Sequence, residues 1–333
     1  MSRYPSRIAA GISVVAVTLA LAACGGQQTT QTSGSAAAAG SCEATSQQLA
    51  IATGNSTGVY YVLGGAIAEI LSSETPMRVT AAETGASVQN IEQLVAGDYG
   101  IAFSLADVAA EAVAGEGAFT EPQPIQALGR IHANFTQVIV RSDSGIGSIA
   151  DMAGKTVSTG SPKSGTEVVA LRLLEAAGLT PDKDVATQRL DLSTSVDGLV
   201  NGTIDALFWS GGLPTPNITE LFTTNGDAVE FIDITGELPA LQEINPVYRE
   251  GEIPADTYGL DQDVPTITVP NMLMVSDSMD DETACAITTA IWSNADRVAA
   301  VHPAGNELTP ENALDTDPIP LAPGAKKALE SLE

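Results

Sequence analysis

Residues 54–58, Gly-Asn-Ser-Thr-Gly, match the G-x-S-x-G pattern in which some hydrolases carry a serine nucleophile. Such an enzyme also needs a histidine base and an oxyanion hole. His302 follows Ser56 along the chain, as the order of triad residues in α/β-hydrolases requires, but no HGGG-type motif occurs. The motif also lies on the first predicted strand. Hydrolysis is therefore the alternative function, and we interpret Ser56 as a turn or N-cap residue.

The same bend is one of two strand–turn–helix segments with the chemistry to bind an anion. The first joins the strand LAIA to a helix through TGNSTG, and the second joins TVS to the helix EVVALRLLEAAG through TGSPKSGT. The first N–H groups of a helix have no partner within it, and the helix dipole adds partial positive charge. We therefore expect the N–H groups of residues 57–59 and 165–167 to hold a carboxylate. Neither segment fits a P-loop or a dinucleotide fingerprint, which argues against nucleotide binding.

Three further residues follow strand endings, where open α/β sheets place ligands. Ser104 and Asp107 stand at the carboxyl end of a strand within residues 83–112, and each could equally cap a helix. Trp209 ends a strand just before Gly211-Gly212, which suits either the wall of a cleft or core packing. All three are predicted to contact the ligand.

Short apolar runs alternate with amphipathic helical stretches, which predicts an α/β fold with mostly parallel sheets. About 290 residues follow the N-terminal leader, enough for two lobes. The predicted strands are Leu49–Ala52, Arg78–Ala82, Gly100–Phe103, Ile125–Ile131, Val138–Arg141, Thr156–Ser158, Gln188–Leu192, Ala206–Trp209 and Ile267–Val275.

The N-terminal residues predict export. Two arginines, a short apolar run and Leu-Ala-Ala-Cys form a secretory signal whose end is similar to a bacterial lipobox. We expect residues 1–23 to be removed and Cys24 to carry a lipid, which would anchor the protein to the outer face of the cell membrane. An ordinary signal peptide is the alternative. The Gly, Gln, Thr, Ser and Ala residues that follow, within 24–42, predict a flexible tether.

Composition narrows the partners. The chain has 14 Lys and Arg against 41 Asp and Glu, a formal charge of −27, which disfavours nucleic acid and anionic membrane surfaces. Cys42 and Cys285 form an even pair in an oxidising compartment, so they predict a disulfide, with two buried free thiols as the alternative. Two histidines and no metal-binding motif predict no metal site and no cofactor.

Long stretches of the chain resemble the TAXI-type solute-binding receptors of TRAP transporters. The likeness begins in IATGNSTGVYYVLGGAIAEIL and continues in VTAAETGASVQNIEQLVAGDYGIAFSLADVA and STGSPKSGTEVVALRLLEAAGL. It extends through LVNGTIDALFWSGGLPTPNI and IPADTYGLDQDVPTITVPNMLMV to VHPAGNELTPENAL and PIPLAPGAKKALE, and so spans nearly the whole mature chain. The combination of T-G-x-x-G-V-Y-Y with S-G-T is the specific part of the resemblance.

This resemblance implies a two-lobed type II periplasmic-binding-protein fold, with a hinge and a ligand cleft between the lobes. The lobes would be residues 43–138 with 268–333, and residues 139–267. It further implies a monomer without enzymatic activity that delivers a small carboxylate, such as glutamate or 2-oxoglutarate, to the membrane subunits of a TRAP transporter. The ligand-binding residues carried over by motif are Thr53, Gly54, Thr57, Gly58, Tyr60, Tyr61, Thr84, Gly85, Ser87, Asn90, Ser161, Ser164, Gly165 and Thr166.

Two residues depart from the family's pattern. Lys163 stands where many members have a small residue, and Ala322 where a histidine is common. A carboxylate pinned between two helix N-termini, one in each lobe, would favour the closed state, because only that state lets the ligand contact both. Arg130, Arg141, Lys163 and Arg249 are the basic residues expected nearest the cleft. Of these, Lys163 is expected on the rim, in contact with solvent.

Overall fold

The computed structural model describes residues 42–332, which belong to one compact unit, Gly40–Glu333. The ten strands described form one sheet in the order β2-β1-β3-β10-β4-β7-β5-β6, with β8 paired to β4 and β9 to β10. Their bounds are β1 Gln48–Ala52, β2 Arg78–Ala82, β3 Ile101–Leu105, β4 Ile125–Arg141, β5 Thr156–Ser158, β6 Ala186–Gln188, β7 Ala206–Gly211, β8 Val229–Phe231, β9 Arg249–Ile253 and β10 Val264–Ser276.

Helices pack against this sheet, and none of those in residues 42–332 is long and apolar enough to cross a membrane. Their bounds are α1 Val59–Glu74, α2 Ser87–Ala96, α3 Ala106–Ala114, α4 Gly165–Ala176, α5 Leu192–Asn201, α6 Pro216–Asn225, α7 Leu238–Ile244, α8 Ala255–Tyr258, α9 Asp281–Trp292, α10 Ala295–Val301, α11 Pro310–Leu314 and α12 Pro323–Glu330.

The sheet has two parallel parts on either side of an antiparallel pair. Strand β1 pairs in parallel with β2 and β3, and β5 pairs in parallel with β6 and β7. Between them, the long strands β10 and β4 run antiparallel to each other and to β3 and β7. We call β1–β3 with α1–α3 the β1 half, and β5–β7 with α4–α6 the β5 half.

Each half is built as the alternating sequence pattern predicts. Every residue of β3 is buried, as expected for a parallel strand covered by helices on both faces. Crossover helices join the parallel strands, because parallel neighbours cannot be linked by a tight turn. This arrangement places the N-termini of α1 and α4 after the carboxyl ends of β1 and β5.

The α/β fold class is confirmed, but the prediction of mostly parallel sheets is wrong, because five of the nine strand pairings described are antiparallel and lie in the middle of the sheet. The strands predicted at 125–131 and 138–141 are one continuous strand, β4, which contacts both halves. The strand predicted at 188–192 ends at Gln188, and residue 192 already begins α5. Strands β8 and β9 were not predicted, and the predicted boundaries of the two lobes stay a prediction.

Candidate functional site

A cavity lies where α1 and α2 of the β1 half meet α4 and β7 of the β5 half. The turns before α1 and α4 and the ends of β3 and β7 supply most of its wall, and β4 supplies one residue. The lining residues are Gly54, Asn55, Gly58, Val59, Tyr60, Gly85, Ala86, Ser87, Leu105, Asn134, Ser161, Ser164, Gly165, Thr166, Trp209, Ser210 and Gly211.

The first turn of α1 presents unpaired donors to this cavity. The N–H of Gly58 donates to the Asn55 carbonyl at 2.9 Å, which closes the bend before the helix. The carbonyl of Gly58 accepts from the N–H groups of Tyr61 and Val62. Within residues 42–332, the N–H groups of Val59 and Tyr60 have no hydrogen-bond partner, as expected at the first turn of a helix.

Helix α4 repeats the design from the other half. The hydroxyl of Ser164 caps the helix by accepting from the Glu167 N–H at 3.0 Å, and the Ser164 carbonyl accepts from Val168. The N–H groups of Gly165 and Thr166 are left without a partner in the part of the chain described. Two helix N-termini, one from each half, therefore offer free backbone donors and partial positive charge to one cavity.

The two halves contact each other around the cavity. The side chains of Asn55 and Ser161 are hydrogen bonded at 3.2 Å, which joins the two turns directly. Trp209 packs over the start of α1, where a Cβ on Gly58 would lie 3.3 Å from its ring. The indole N–H of Trp209 donates to the Thr215 hydroxyl at 3.1 Å, which holds the ring in place.

No acidic, basic or histidine side chain belongs to the lining described above. Of the four basic residues predicted near the cleft, Arg130 pairs with Asp315 at 3.1 Å and Arg141 pairs with Asp143. Lys163 pairs with Glu92 at 2.8 Å on the surface, and the Arg249 guanidinium donates to backbone carbonyls. None of these four side chains therefore lines the cavity.

A buried polar network supports the back of the cavity. Tyr60 donates its hydroxyl to the Asn271 carboxamide oxygen, while the Asn271 NH₂ lies 2.7 Å from the Asn134 oxygen and 2.6 Å from His132 Nδ1. The NH₂ of Asn134 in turn donates to the Ser210 hydroxyl at 3.4 Å. The network thus joins lining residues of α1, β4 and β7 through one asparagine of β10.

Burial determines the charge state of this network. Burial, together with the smaller effects of the nearby His302 and Arg130, lowers the pKa of His132 to about 3. Burial likewise raises the pKa of the Tyr60 hydroxyl. Both side chains are therefore neutral at physiological pH, and the network holds its hydrogen bonds without adding charge to the cavity.

Most of the residues predicted to bind the ligand do line the cavity, but seven do not. Three of these seven hold the strand ends together beneath it. The Thr53 hydroxyl donates to the Ala82 carbonyl at 2.6 Å, and the Thr84 hydroxyl donates to the Asn90 carboxamide. The Asn90 NH₂ donates to the carbonyls of Thr53 and Phe103 at 2.7 and 2.8 Å. The structure thus shows supporting contacts for Thr53, Thr84 and Asn90.

The other four have separate surroundings. Thr57 is half-buried in the bend, Tyr61 is 37% exposed on α1, and the Ser104 hydroxyl donates to the Leu105 carbonyl. Asp107 is fully buried and pairs with Arg172 of α4 at 2.8 Å, so it joins the two halves without lining the cavity. Their predicted contact with a ligand has no support in this geometry.

Several lining residues were not predicted. Asn55 lies inside the first motif and Leu105 ends the strand β3, so both positions could have been chosen on spacing. Ser210 and Gly211 directly follow Trp209 at the end of β7. Asn134 falls between two predicted strands that are one strand in the structure, so no sequence pattern marked it.

The surroundings of Ser56 do not support a catalytic serine. Ser56 is exposed on the bend, where its N–H donates to the Glu83 carboxylate at 2.9 Å. Both ring nitrogens of His302 are engaged by backbone groups, the Pro214 carbonyl at 2.9 Å and the Ala304 N–H at 3.1 Å. His302 therefore caps a short 3₁₀ turn, and in the described residues no hydrogen bond links it to Ser56.

The N-terminal predictions fall partly outside the structure. Cys24, the leader and nearly all of the tether lie outside the described residues. Cys42 is paired with Cys285 of α9 as a disulfide, with 5.2 Å between the two Cα atoms. Among residues 42–332, no group of His, Cys, Asp and Glu side chains is arranged to hold a metal ion.

Comparisons with known proteins agree with this architecture. A family model described as the NMT1-like family matches residues 51–331. A binding protein component of an ABC phosphonate transporter from Pseudomonas aeruginosa is 14% identical with a TM-score of 0.54, over 78% of each chain. The periplasmic binding protein BugD is 12% identical with a TM-score of 0.52, over 86% of this chain and 95% of its own. The likeness shows a periplasmic-binding-protein fold.

Proposed function

The chain belongs to the NMT1-like family, and we propose that it is an extracytoplasmic solute-binding protein that captures a small carboxylate between two lobes. The ligand class is a dicarboxylate or a related amino acid, such as 2-oxoglutarate or glutamate. Delivery is to the membrane subunits of a TRAP-type transporter, as the resemblance to TAXI receptors implies. The protein performs no chemistry on its ligand.

One observation carries this proposal. Val59 and Tyr60 on α1 and Gly165 and Thr166 on α4, whose N–H groups have no partner among residues 42–332, all line one cavity. Backbone donors at helix N-termini bind carboxylates without a cationic side chain. Because the two helices come from opposite halves, an anion with two carboxylates could bridge them and favour the closed state.

The wall also suits the rest of such a ligand. Tyr60, Leu105 and Trp209 supply apolar surface between the two N-termini. Asn55, Asn134 and Ser210 supply neutral polar groups that can orient a ligand without adding net charge. Lobes of residues 43–138 with 268–333 and 139–267 would then move about β4 and β10, which run between the two halves.

The cellular setting belongs to the same proposal. A lipid on Cys24 and a flexible tether would keep the binding protein near its membrane partner on the outer face of the membrane. The high negative charge suits a partner with a basic face, because complementary charge speeds association. We expect the protein to act as a monomer, because one chain supplies both helix N-termini.

The experiment removes one backbone donor at a time. Val59 is the first residue of α1, its N–H is unpaired, and Gly58 before it has φ −96° and ψ 161°, a conformation that a following proline accepts. Val59→Pro therefore deletes the donor and keeps the helix. Val59→Ala is the matched control, because it also removes the buried side chain but retains the N–H.

Isothermal titration with 2-oxoglutarate, glutarate and glutamate measures the effect, with methylphosphonate as a comparison anion. A hydrogen bond to a charged group contributes about 1.5–3 kcal/mol. Val59→Pro should therefore bind at least about tenfold more weakly than Val59→Ala. Equal affinities of the two variants would contradict binding by this N–H group. Binding of the phosphonate alone would contradict the carboxylate assignment.

A further inference from the structure

We propose that the turn 161–164 is a clasp that holds the cavity closed by capping α2 in the opposite half. The carbonyl of Lys163 accepts from the N–H groups of Val88 and Gln89, at 3.1 and 3.2 Å. Lys163 precedes α4 of the β5 half, whereas Val88 and Gln89 lie in the first turn of α2 in the β1 half. Opening the cavity would break both hydrogen bonds.

Helix α2 depends on this partner because its own sequence lacks a cap. Its N-cap residue is Ala86, and no side chain caps the helix there. Alanine is among the poorer N-cap residues, since it has no oxygen to accept from the first N–H groups. In the closed structure a carbonyl of the other half takes that role, so the cap exists only while the halves are together.

Hydrogen bonds within the β5 half determine the backbone conformation of the clasp. Lys163 has φ +60°, a conformation that residues with a side chain rarely adopt. Its N–H donates to the Glu167 carboxylate at 2.7 Å, and the Ser164 N–H donates to the Ser161 carbonyl at 3.1 Å. These contacts hold the turn in the conformation from which the Lys163 carbonyl reaches α2.

Side chains reinforce the backbone contact at two points. The Lys163 ammonium lies 2.9 and 2.8 Å from the two carboxylate oxygens of Glu92 on α2. Ser161, at the start of the clasp, is hydrogen bonded to Asn55 of the β1 half. Because Lys163 and Glu92 are both exposed, their ion pair is the weaker part of the clasp and the part that mutation can change without unfolding the protein.

Lys163 is thus a positioning residue, which raises ligand affinity by favouring the closed state without lining the cavity. A ligand that bridges α1 and α4 would be held more tightly by any contact that exists only in the closed state. This inference rests on the proposed function for its ligand. The hydrogen bonds of the clasp can be measured without a ligand.

Amide hydrogen exchange, measured for single residues, reports directly on the hydrogen bonds of the clasp. The N–H groups of Val88 and Gln89 are paired across the two halves, whereas the N–H of Asn90 donates to Ala86 within α2 at 2.9 Å. Asn90 is therefore the internal control. In the wild-type chain, 2-oxoglutarate at saturating concentration should slow exchange of Val88 and Gln89 further and leave Asn90 unchanged.

Charge reversal tests the same contact. Glu92→Lys places two ammonium groups face to face and should speed exchange of Val88 and Gln89 by about two- to fivefold, the size of an exposed ion pair. The exchanged pair Lys163→Glu with Glu92→Lys should restore the wild-type rates. Glu121→Lys, an equal change of charge on an exposed residue after α3, should leave both amides unchanged.

The outcomes distinguish failure of the clasp proposal from failure of the carboxylate assignment. The clasp proposal would be overturned if Val88 and Gln89 exchanged at equal rates in Glu92→Lys and Glu121→Lys. It would also be overturned if the exchanged pair did not restore the wild-type exchange rates. Calorimetric binding of 2-oxoglutarate that leaves Val88 and Gln89 unaffected would overturn it while the proposed function stands. If 2-oxoglutarate does not bind and the charge variants still behave as expected, the clasp stands and the carboxylate assignment fails.

Discussion

Gly165 shows how a single residue lets the two halves meet. A Cβ at this position would lie 2.5 Å from Leu105 Cδ1 and 2.7 Å from the Ser87 hydroxyl, both in the β1 half. Leu105 is buried, so it has little room to move away. The glycine of the S-G-T motif thus serves the contact between halves as well as the free N–H at the start of α4.

The Gly165→Ala change should therefore weaken ligand binding by preventing full closure. Overpacking a buried contact costs about 1–3 kcal/mol, which corresponds to roughly one to two decades in affinity. Gly65→Ala is the matched control, because a Cβ at this exposed position in α1 contacts nothing within 4 Å. That change should leave binding intact and stabilise the helix by about 0.5–1 kcal/mol. If calorimetric titration shows that both variants bind the ligand as tightly as the wild-type protein does, this role of Gly165 is contradicted.

His132 makes the stability of the protein depend on pH. Its pKa is lowered to about 3 in the folded chain, mainly by burial, against about 6.5 when unfolded. Between these values the unfolded state binds more protons, so stability is full above pH 6.5 and falls as the pH drops towards 3. The loss attributable to His132 is about 1.4 kcal/mol per pH unit in that range.

The His132→Asn change should reduce this sensitivity. Asparagine can still accept a hydrogen bond from Asn271 but has no group that titrates in this range. Urea unfolding at pH 7 and pH 5 should show that the variant loses about 2 kcal/mol less than wild type between the two. Identical losses in the two proteins would mean that His132 is not held neutral in the folded chain.

At the scale of elements, the sequence patterns predicted the parallel parts of the sheet. They did not predict that β4 is one continuous strand between those parts. Strands β1, β2, β5 and β7 lie where short apolar runs between helical patterns placed them, within a few residues. The join within β4 was missed because residues 132–137, HANFTQ, are mostly polar. The Asn134 and Gln137 side chains are buried there with hydrogen-bond partners, Ser210 and Tyr258, whereas His132 Nε2 and the Thr136 hydroxyl have none in the described residues.

Sequence patterns likewise predicted only part of the cavity. Motif spacing located the N-termini of α1 and α4, since a strand, a bend and an apolar helix follow one another in each segment. It could not show that Asp107 and Asn90 face other protein groups, because their partners Arg172 and Phe103 come from other elements. Nor could it show that Lys163 turns towards α2, which depends on the approach of the two halves.

The disulfide belongs to this scale, because it ties the first described residue to α9. Cys42 and Cys285 are 243 positions apart, and in the chain-entropy model such a link stabilises the fold by roughly 5.5 kcal/mol. The double change Cys42→Ser with Cys285→Ser should therefore lower the unfolding midpoint in urea and leave ligand affinity unchanged, since neither residue lines the cavity. Non-reduced peptide mapping should recover the two cysteines in one linked pair. Recovery as separately alkylated thiols would contradict the pairing.

At the scale of the whole molecule, the proposed function requires the two halves to move about β4 and β10 around the cavity. The halves meet through Asn55 with Ser161, through the clasp, and through the buried pair of Asp107 with Arg172. Each of these contacts would add to the stability of the closed state, and a bridging ligand would add more. The formal charge of −27 lies outside the cavity, whose wall is uncharged, so it acts on partners and solubility.

The most direct test of binding by backbone donors is a crystal structure of the protein grown with its tightest-binding carboxylate. We expect ligand oxygens within about 2.7–3.2 Å of the N–H groups at Val59 or Tyr60 and at Gly165 or Thr166. We also expect no lysine or arginine side chain in contact with the ligand. A ligand held by an arginine or lysine, or bound outside the cavity between α1 and α4, would contradict the account.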